Sequence, residues 1–256
     1  METEKSQDLW QGEINMKQWT VEQLARMIDH TYVKADTTEE QMEKLCTEAK
    51  EYHFAMAAIN SGQTVRCAGL LKGSDVHVGA AIGFPLGQTT IASKVFEAED
   101  AIKNGADEID YSLNLTEVKA GNWAYVEEEM KQIVELCRRH EKICKVILET
   151  CYLEKDEIVK ICEIARNVRP DFVKTSSGFG SAGAKEEDVL LMKQTVGSLV
   201  NVKASGGIRD AKTFKEMVAC GAVRIGTSAG VSIVEEFRKE AKENGGVISI
   251  AMKIEE

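Results

Sequence analysis

Proline is nearly missing from this 256-residue chain: two occur, Pro85 and Pro170. No Ser-, Gly- or Pro-rich linker divides the sequence, which predicts a single domain. No apolar run is long enough to span a bilayer. The start, Met1-Glu2-Thr3-Glu4-Lys5, is polar and acidic rather than signal-like, so the expected setting is the cytoplasm, without a membrane partner. No basic cluster stands out against a formal net charge of −10, which argues against nucleic acid or an anionic membrane as the main partner. A small phosphorylated substrate needs only a local positive site and stays open. Seven scattered cysteines contain no CxxC, and His30, His53, His77 and His140 show no ligand spacing. These absences predict reduced buried thiols and neither metal nor other cofactor.

Against that background two short runs stand out. Phe172-Val173-Lys174-Thr175-Ser176-Ser177-Gly178 carries a lysine inside an apolar stretch that breaks into small residues. Asn201-Val202-Lys203-Ala204-Ser205-Gly206-Gly207 repeats the pattern at a βα spacing. Burying an unpaired ammonium is costly. The residues alone therefore allow two readings: a strand-end lysine that points at solvent or holds a phosphate, or an amine kept dry so that it is partly neutral and can attack a carbonyl. The second lysine on a neighbouring strand favours chemistry.

The rest of the chain alternates strands and helices. Residues 1–18 read as a polar leader containing Trp10, 19–245 as the folded unit and 246–256 as a tail. Thr20 and Gln23 form a candidate capping box for a first helix, and Asp36-Thr37-Thr38 opens a second. Continuous apolar runs such as Phe54–Ile59 and Val76–Phe84 suit parallel strands buried on both faces. Further strands are expected at Met27–Thr31, Asp107–Leu113, Lys145–Glu149, around Lys174, around Lys203 and at Val223–Thr227. Helices are expected at 89–104, 123–140, 155–168 and 185–196, from Asp210 to Gly221 and from about Ser232. Eight strands each followed by a helix predict a closed (β/α)8 TIM barrel, of the α/β class. An open doubly wound sheet is the alternative, and neither GxGxxG nor GxxxxGK[ST] is present to support it.

Side chains alternate along a strand, so Glu108 and Asp110 share a face, as do Lys145, Ile147 and Glu149, and Asn201, Lys203 and Ser205. The outer face of a barrel strand packs under helices and must be apolar. The polar sets are therefore expected inside, placing Lys145, Lys174 and Lys203 with Glu108, Asp110 and Glu149. A salt-bridged interior that only fills space is the plainer reading of such a set.

In order and spacing, these motifs resemble the deoxyribose-phosphate aldolases, a family of class I Schiff-base aldolases. The resemblance runs from about Ile28 to about Gly230. It rests on Ile28-Asp29-His30-Thr31, Gly83-Phe84-Pro85-Leu86-Gly87, Gly105–Asp110, Lys145–Thr150, Phe172–Ser176, Val202–Arg209 and Arg224–Ser228. It implies a barrel that reversibly cleaves 2-deoxy-D-ribose 5-phosphate to acetaldehyde and D-glyceraldehyde 3-phosphate without metal. It assigns the Schiff base to Lys174, its perturbation to Lys203 and proton relay to Asp110. It further implies substrate or phosphate contacts at Gly206, Gly207 and Ser228, with Gly178, Asp29 and Thr31 as additional binding residues, and such barrels often form homodimers. The chain departs from the family at Ala58, Ser61, Tyr111–Asn114 and Ala229, and it does not end in tyrosine. These departures bear on acceptor preference and rate rather than on imine chemistry. Two rivals follow: a Schiff-base aldolase of this fold for another phosphorylated sugar or aldehyde, and a catalytically silent sugar-phosphate sensor.

Overall fold

The apolar runs form the wall of a closed barrel in the computed structural model, which describes residues 15–254. Eight parallel strands close in chain order: β2 (Ile28–Thr31), β3 (Met56–Asn60), β4 (His77–Ile82), β5 (Glu108–Ser112), β6 (Ile143–Ile147), β7 (Phe172–Lys174), β8 (Asn201–Ser205) and β9 (Ala222–Thr227), with β9 pairing back onto β2. Outward residues such as Ile109, Val146, Val173, Val202 and Ile225 are fully buried beneath helices. That burial on both sides is why these strands read as unbroken apolar runs.

The helices are α1 (Val21–Ala25), α2 (Glu39–Glu51), α3 (Thr64–Leu71), α4 (Ile91–Lys103), α5 (Leu115–Lys119), α6 (Trp123–Arg139), α7 (Lys155–Val168), α8 (Glu186–Val196), α9 (Ala211–Ala219) and α10 (Gly230–Glu243). Their starts follow side-chain chemistry. Thr20 with Gln23, and Thr38 with Gln41, form capping boxes that satisfy the first free amides. Asp210 accepts from the Thr213 amide at 2.7 Å.

Two differences from the sequence reading concern the ends and one strand. Met16–Trp19, across the end of the expected leader, is strand β1, and it pairs antiparallel with β10 (Ile248–Ala251) from the expected tail. Trp10 lies outside the described residues. Strand β6 begins and ends two residues earlier than expected, for a reason that emerges at Glu149. No helix among the described residues is long and apolar enough to cross a membrane.

Candidate active site

Register decides which side chains share the barrel interior. Ala81 is level with Asp110, Asp110 with Lys145, Ile147 with Lys174, and Lys174 with Lys203. On one side of the interior the residues are small: Ala58 on β3, and Gly79 and Ala81 on β4. Met56 fills the space below, and a Cβ on Gly79 would lie 2.1 Å from its sulfur. Above that floor the small residues leave a pocket that is open to solvent. Thr31, Ala58, Ala81, Phe84 and Ser177 line it, and Asp110 and Lys174 are its ionisable walls. It opens at the carboxyl ends of the strands, where the loops of such barrels can build a site.

The opposite side of the interior is charged. Lys174 Nζ donates to Asp110 Oδ2 at 2.9 Å, and Lys203 Nζ donates to the same oxygen at 2.6 Å. Lys145 Nζ donates to the other oxygen, Oδ1, at 2.6 Å and also pairs with Glu108. Lys203 reaches Asp29 Oδ2 at 2.5 Å. Arg224 bonds Asp29 Oδ1 through Nε at 2.8 Å and reaches Glu108 at 3.1 Å. His77 closes the chain of contacts, its Nδ1 lying 2.7 Å from Glu108 Oε1. Apart from the exposed His77, which Glu108 raises, Asp29, Glu108 and Asp110 thus face Lys145, Lys203 and Arg224 in equal number, and Lys174 is the additional cation.

This arrangement sets protonation. Burial pushes the Lys174 amine down, and the ammonium groups of Lys203 and Lys145 push the same way. Asp110 opposes them, and the outcome is a pKa of about 8. Burial alone would raise Asp110, but Lys145, Lys174 and Lys203 overcome it and hold the carboxyl well below its usual range. Burial would likewise lower Lys145, yet Asp110, Glu108 and Asp29 overcome it and keep that amine above an ordinary lysine. The Lys174 amine is therefore shifted toward neutral pH, and it stands on the pocket wall.

The expected site residues fall into distinct places. Lys174, Lys203 and Asp110 meet around one carboxylate, and Thr31 lines the pocket beside them. Gly178, Gly206 and Gly207 adopt positive φ in the loops after β7 and β8 (94°, 85° and 78°), and Ser228 is exposed just before α10. Asp29 sits elsewhere: it is fully buried and engaged by Lys203 and Arg224. Glu149 is a correction. It does not join the lysines, because the chain takes a left-handed turn there, with φ +58° and ψ +59°, and strand alternation ends. Its carboxylate bonds the Ser177 amide instead.

Two members of the network were not placed in the barrel interior by the sequence reading: Arg224 and His77. Inward register on β9 is a usable signal for Arg224, since Arg224 and Gly226 share the face opposite Ile225. Among the described residues no group of three or more His, Cys, Asp or Glu is placed to hold a metal ion.

Fold and pocket together define a (β/α)8 barrel with a buried lysine amine, lowered to about 8, at the carboxyl-end mouth. A family model described as DeoC/LacD family aldolase matches residues 23–237, and the chain belongs to that family. It is 56% identical over 226 residues to a deoxyribose-phosphate aldolase of Lactobacillus acidophilus, covering 88% of this chain and 95% of the relative. A deoxyribose-phosphate aldolase of Bacteroides thetaiotaomicron is 52% identical, over 87% of this chain and 94% of its own length. Among solved structures, the tetrameric deoxyribose phosphate aldolase of Aeropyrum pernix superposes with a TM-score of 0.81 at 33% identity, over 86% of this chain and 93% of that one.

Proposed function

We propose that this chain reversibly cleaves 2-deoxy-D-ribose 5-phosphate to acetaldehyde and D-glyceraldehyde 3-phosphate through a Schiff base on Lys174. The observation that carries the reading is the Lys174 amine: dry, held at about 8, on the wall of a pocket, and sharing one Asp110 oxygen with Lys203. An ordinary lysine is almost wholly protonated at neutral pH and does not attack. Here the neutral amine adds to the C1 aldehyde of the open-chain sugar, and loss of water from the carbinolamine gives an iminium. The C3 hydroxyl loses its proton, the C2–C3 bond breaks, and its electron pair moves into the iminium to form an enamine. Glyceraldehyde 3-phosphate leaves. Protonation of the enamine at C2 and hydrolysis of the imine then release acetaldehyde and restore the amine.

Asp110 is the proton carrier in this reading, because it touches Lys174 and Lys203 through one oxygen and is anchored by Lys145 through the other. Lys203 supplies the neighbouring positive charge. Asp29, Arg224 and Glu108 hold that charge in place from beneath. The phosphate is assigned to the backbone at Gly206 and Gly207 and to Ser228 at the start of α10, where free N–H groups and the helix dipole favour an anion. A phosphorylated sugar does not cross a bilayer unaided, which supports a cytoplasmic setting. Self-association, expected as a homodimer, is supported by the tetramer of the Aeropyrum pernix relative.

The test is covalent. Incubation with acetaldehyde and borohydride places one two-carbon unit on Lys174 by peptide mass mapping, and Lys174→Arg abolishes it. The unmodified protein cleaves 2-deoxyribose 5-phosphate in preference to other sugar phosphates. An adduct on Lys203 reverses the two lysines, and absence of any adduct removes the Schiff base from the mechanism.

A further inference from the structure

Strand β6 does not run straight out of the barrel. Ile147 is level with Lys174, the Leu148 amide donates to the Lys174 carbonyl at 2.9 Å, and the Thr150 amide donates to the Thr175 carbonyl at 2.9 Å. Two residues are thus spent on this side for one on the other, so Glu149 is the extra residue of a bulge. It is a non-glycine residue in the left-handed region, a strained conformation that persists only where the surroundings hold it. The bulge turns the Glu149 side chain from the lysine cluster toward the loop after β7. Both carboxylate oxygens accept from the Ser177 amide, at 3.2 and 3.1 Å, and the residue is 6% exposed.

The loop is built around that contact. A Cβ on Gly180 would lie 2.9 Å from Glu149 Oε1 and 2.6 Å from Cys151 Sγ, so the chain passes directly over the carboxylate only because position 180 is glycine. Ser177 lines the pocket, and Phe179 stands edge-on to Phe84 with centroids 5.4 Å apart. At its far end the Ala184 amide donates to the carbonyls of Ser205 and Gly206, at 3.1 and 3.0 Å. One loop therefore joins Glu149 to the segment that the aldolase reading assigns to phosphate.

We propose that Glu149 is a positioning residue for the phosphate-bearing end of the substrate: through the Ser177 amide it fixes the loop wall that runs from Ser177 to Gly206. This rests on the aldolase reading for the identity of the substrate. Glu149 does not touch the reacting carbon, which sits on Lys174, and its carboxylate is engaged by a backbone amide. Its influence is therefore on binding of the distal end and not on imine formation.

The experiment compares Glu149→Asn, Glu149→Gly and Glu149→Gln with the unmodified protein. Asn and Gly tolerate positive φ but cannot reach the Ser177 amide, whereas Gln keeps an acceptor at full length. KM for 2-deoxyribose 5-phosphate rises about tenfold in the Asn and Gly variants while kcat stays within about threefold. KM for unphosphorylated 2-deoxyribose and the rate of acetaldehyde trapping on Lys174 stay at the unmodified values, and Gln restores most of the loss. Amide exchange in the 175–180 segment quickens in Asn and Gly but not in Gln. An unchanged KM in the Asn and Gly variants overturns the proposal even if exchange quickens, because the contact is then only structural. An equal loss in trapping overturns it too. If the unmodified protein traps acetaldehyde but does not cleave the sugar phosphate, the substrate reading fails and the proposal, which rests on it, falls with it.

Discussion

Lys94 and Lys174 are both buried amines beside a carboxylate, but only one of them faces open space. Lys94 lies outside the barrel wall on α4, fully buried, and donates to Glu129 Oε1 at 2.6 Å and to the Ser112 carbonyl at 2.7 Å. The second oxygen of Glu129 accepts from the Asn114 amide at 3.1 Å. Burial lowers the Lys94 amine even against the pull of Glu129, and burial raises the Glu129 carboxyl. Desolvation is thus common to both sites. What separates them is valence and room. The Lys94 pair is one cation with one anion in a filled space, so either partner alone would be an uncompensated charge. Inside the barrel three carboxylates are already matched by Lys145, Lys203 and Arg224, so a neutral Lys174 leaves the cluster balanced. A dry lysine becomes a nucleophile when its charge is surplus to its neighbours and a cavity lies at its nitrogen.

The largest effect that distinguishes the two sites is on stability, at the outer one. Lys94→Met leaves Glu129 buried without its cation, and breaking such a pair costs about 3–5 kcal/mol. Urea unfolding measures it. Lys94→Met combined with Glu129→Leu recovers most of the loss, since an apolar pair of similar volume replaces both charges. The remaining folded protein traps acetaldehyde with an unchanged pH midpoint. A midpoint that moves with Lys94 breaks the comparison, because the outer pair would then be feeding the site.

Next in size is Asp110→Asn, read in turnover. Retro-aldol turnover falls by about 10²-fold or more, the usual scale for a lost acid–base group. Trapping on Lys174 persists and moves to lower pH, since Asp110 is the group that raises the Lys174 amine. Near-normal turnover in a folded Asn variant removes Asp110 from proton transfer.

How much of this was legible in the sequence depended on whether a feature was local. The barrel strands were, because burial on both faces leaves unbroken apolar runs, and so was the inward set Glu108, Asp110, Lys145, Lys174 and Lys203, because alternation carries a lysine and an acid to the same side. The β1–β10 pair was not: each strand is four residues long, and the partners lie near opposite ends of the chain. Glu149 defeated alternation because a left-handed bulge is a tertiary arrangement with no glycine to announce it. Asp29 reads as a binding residue until β9 closes onto β2 and brings Arg224 against it. Burial of Lys94 leaves a local trace, because its spacing from buried Ala98, Ala101 and Ile102 along α4 marks an inward position.

The smallest effect tests the surplus-charge argument itself. Lys203 shares Asp110 Oδ2 with Lys174 and pairs with Asp29. Its ammonium acts on Lys174 in the direction that lowers the amine. Lys203→Leu removes that repulsion and also frees Asp110 to pull harder on Lys174, so both consequences raise the Lys174 pKa. A higher pKa means less neutral amine at a given pH. Trapping of acetaldehyde by borohydride in the unmodified protein rises with pH through about 8 and then levels. In Lys203→Leu the adduct still forms on Lys174, with the midpoint moved upward by about one pH unit, the size of a single near charge. Asp29 keeps Arg224 as partner in that variant, so the fold does not inherit an isolated buried acid. Two coupled amines titrate as a pair, and the adduct position by mass mapping ties the midpoint to Lys174. A midpoint that stays in place, or moves down, shows that burial alone sets the Lys174 amine and that the balance of charges in the barrel does not.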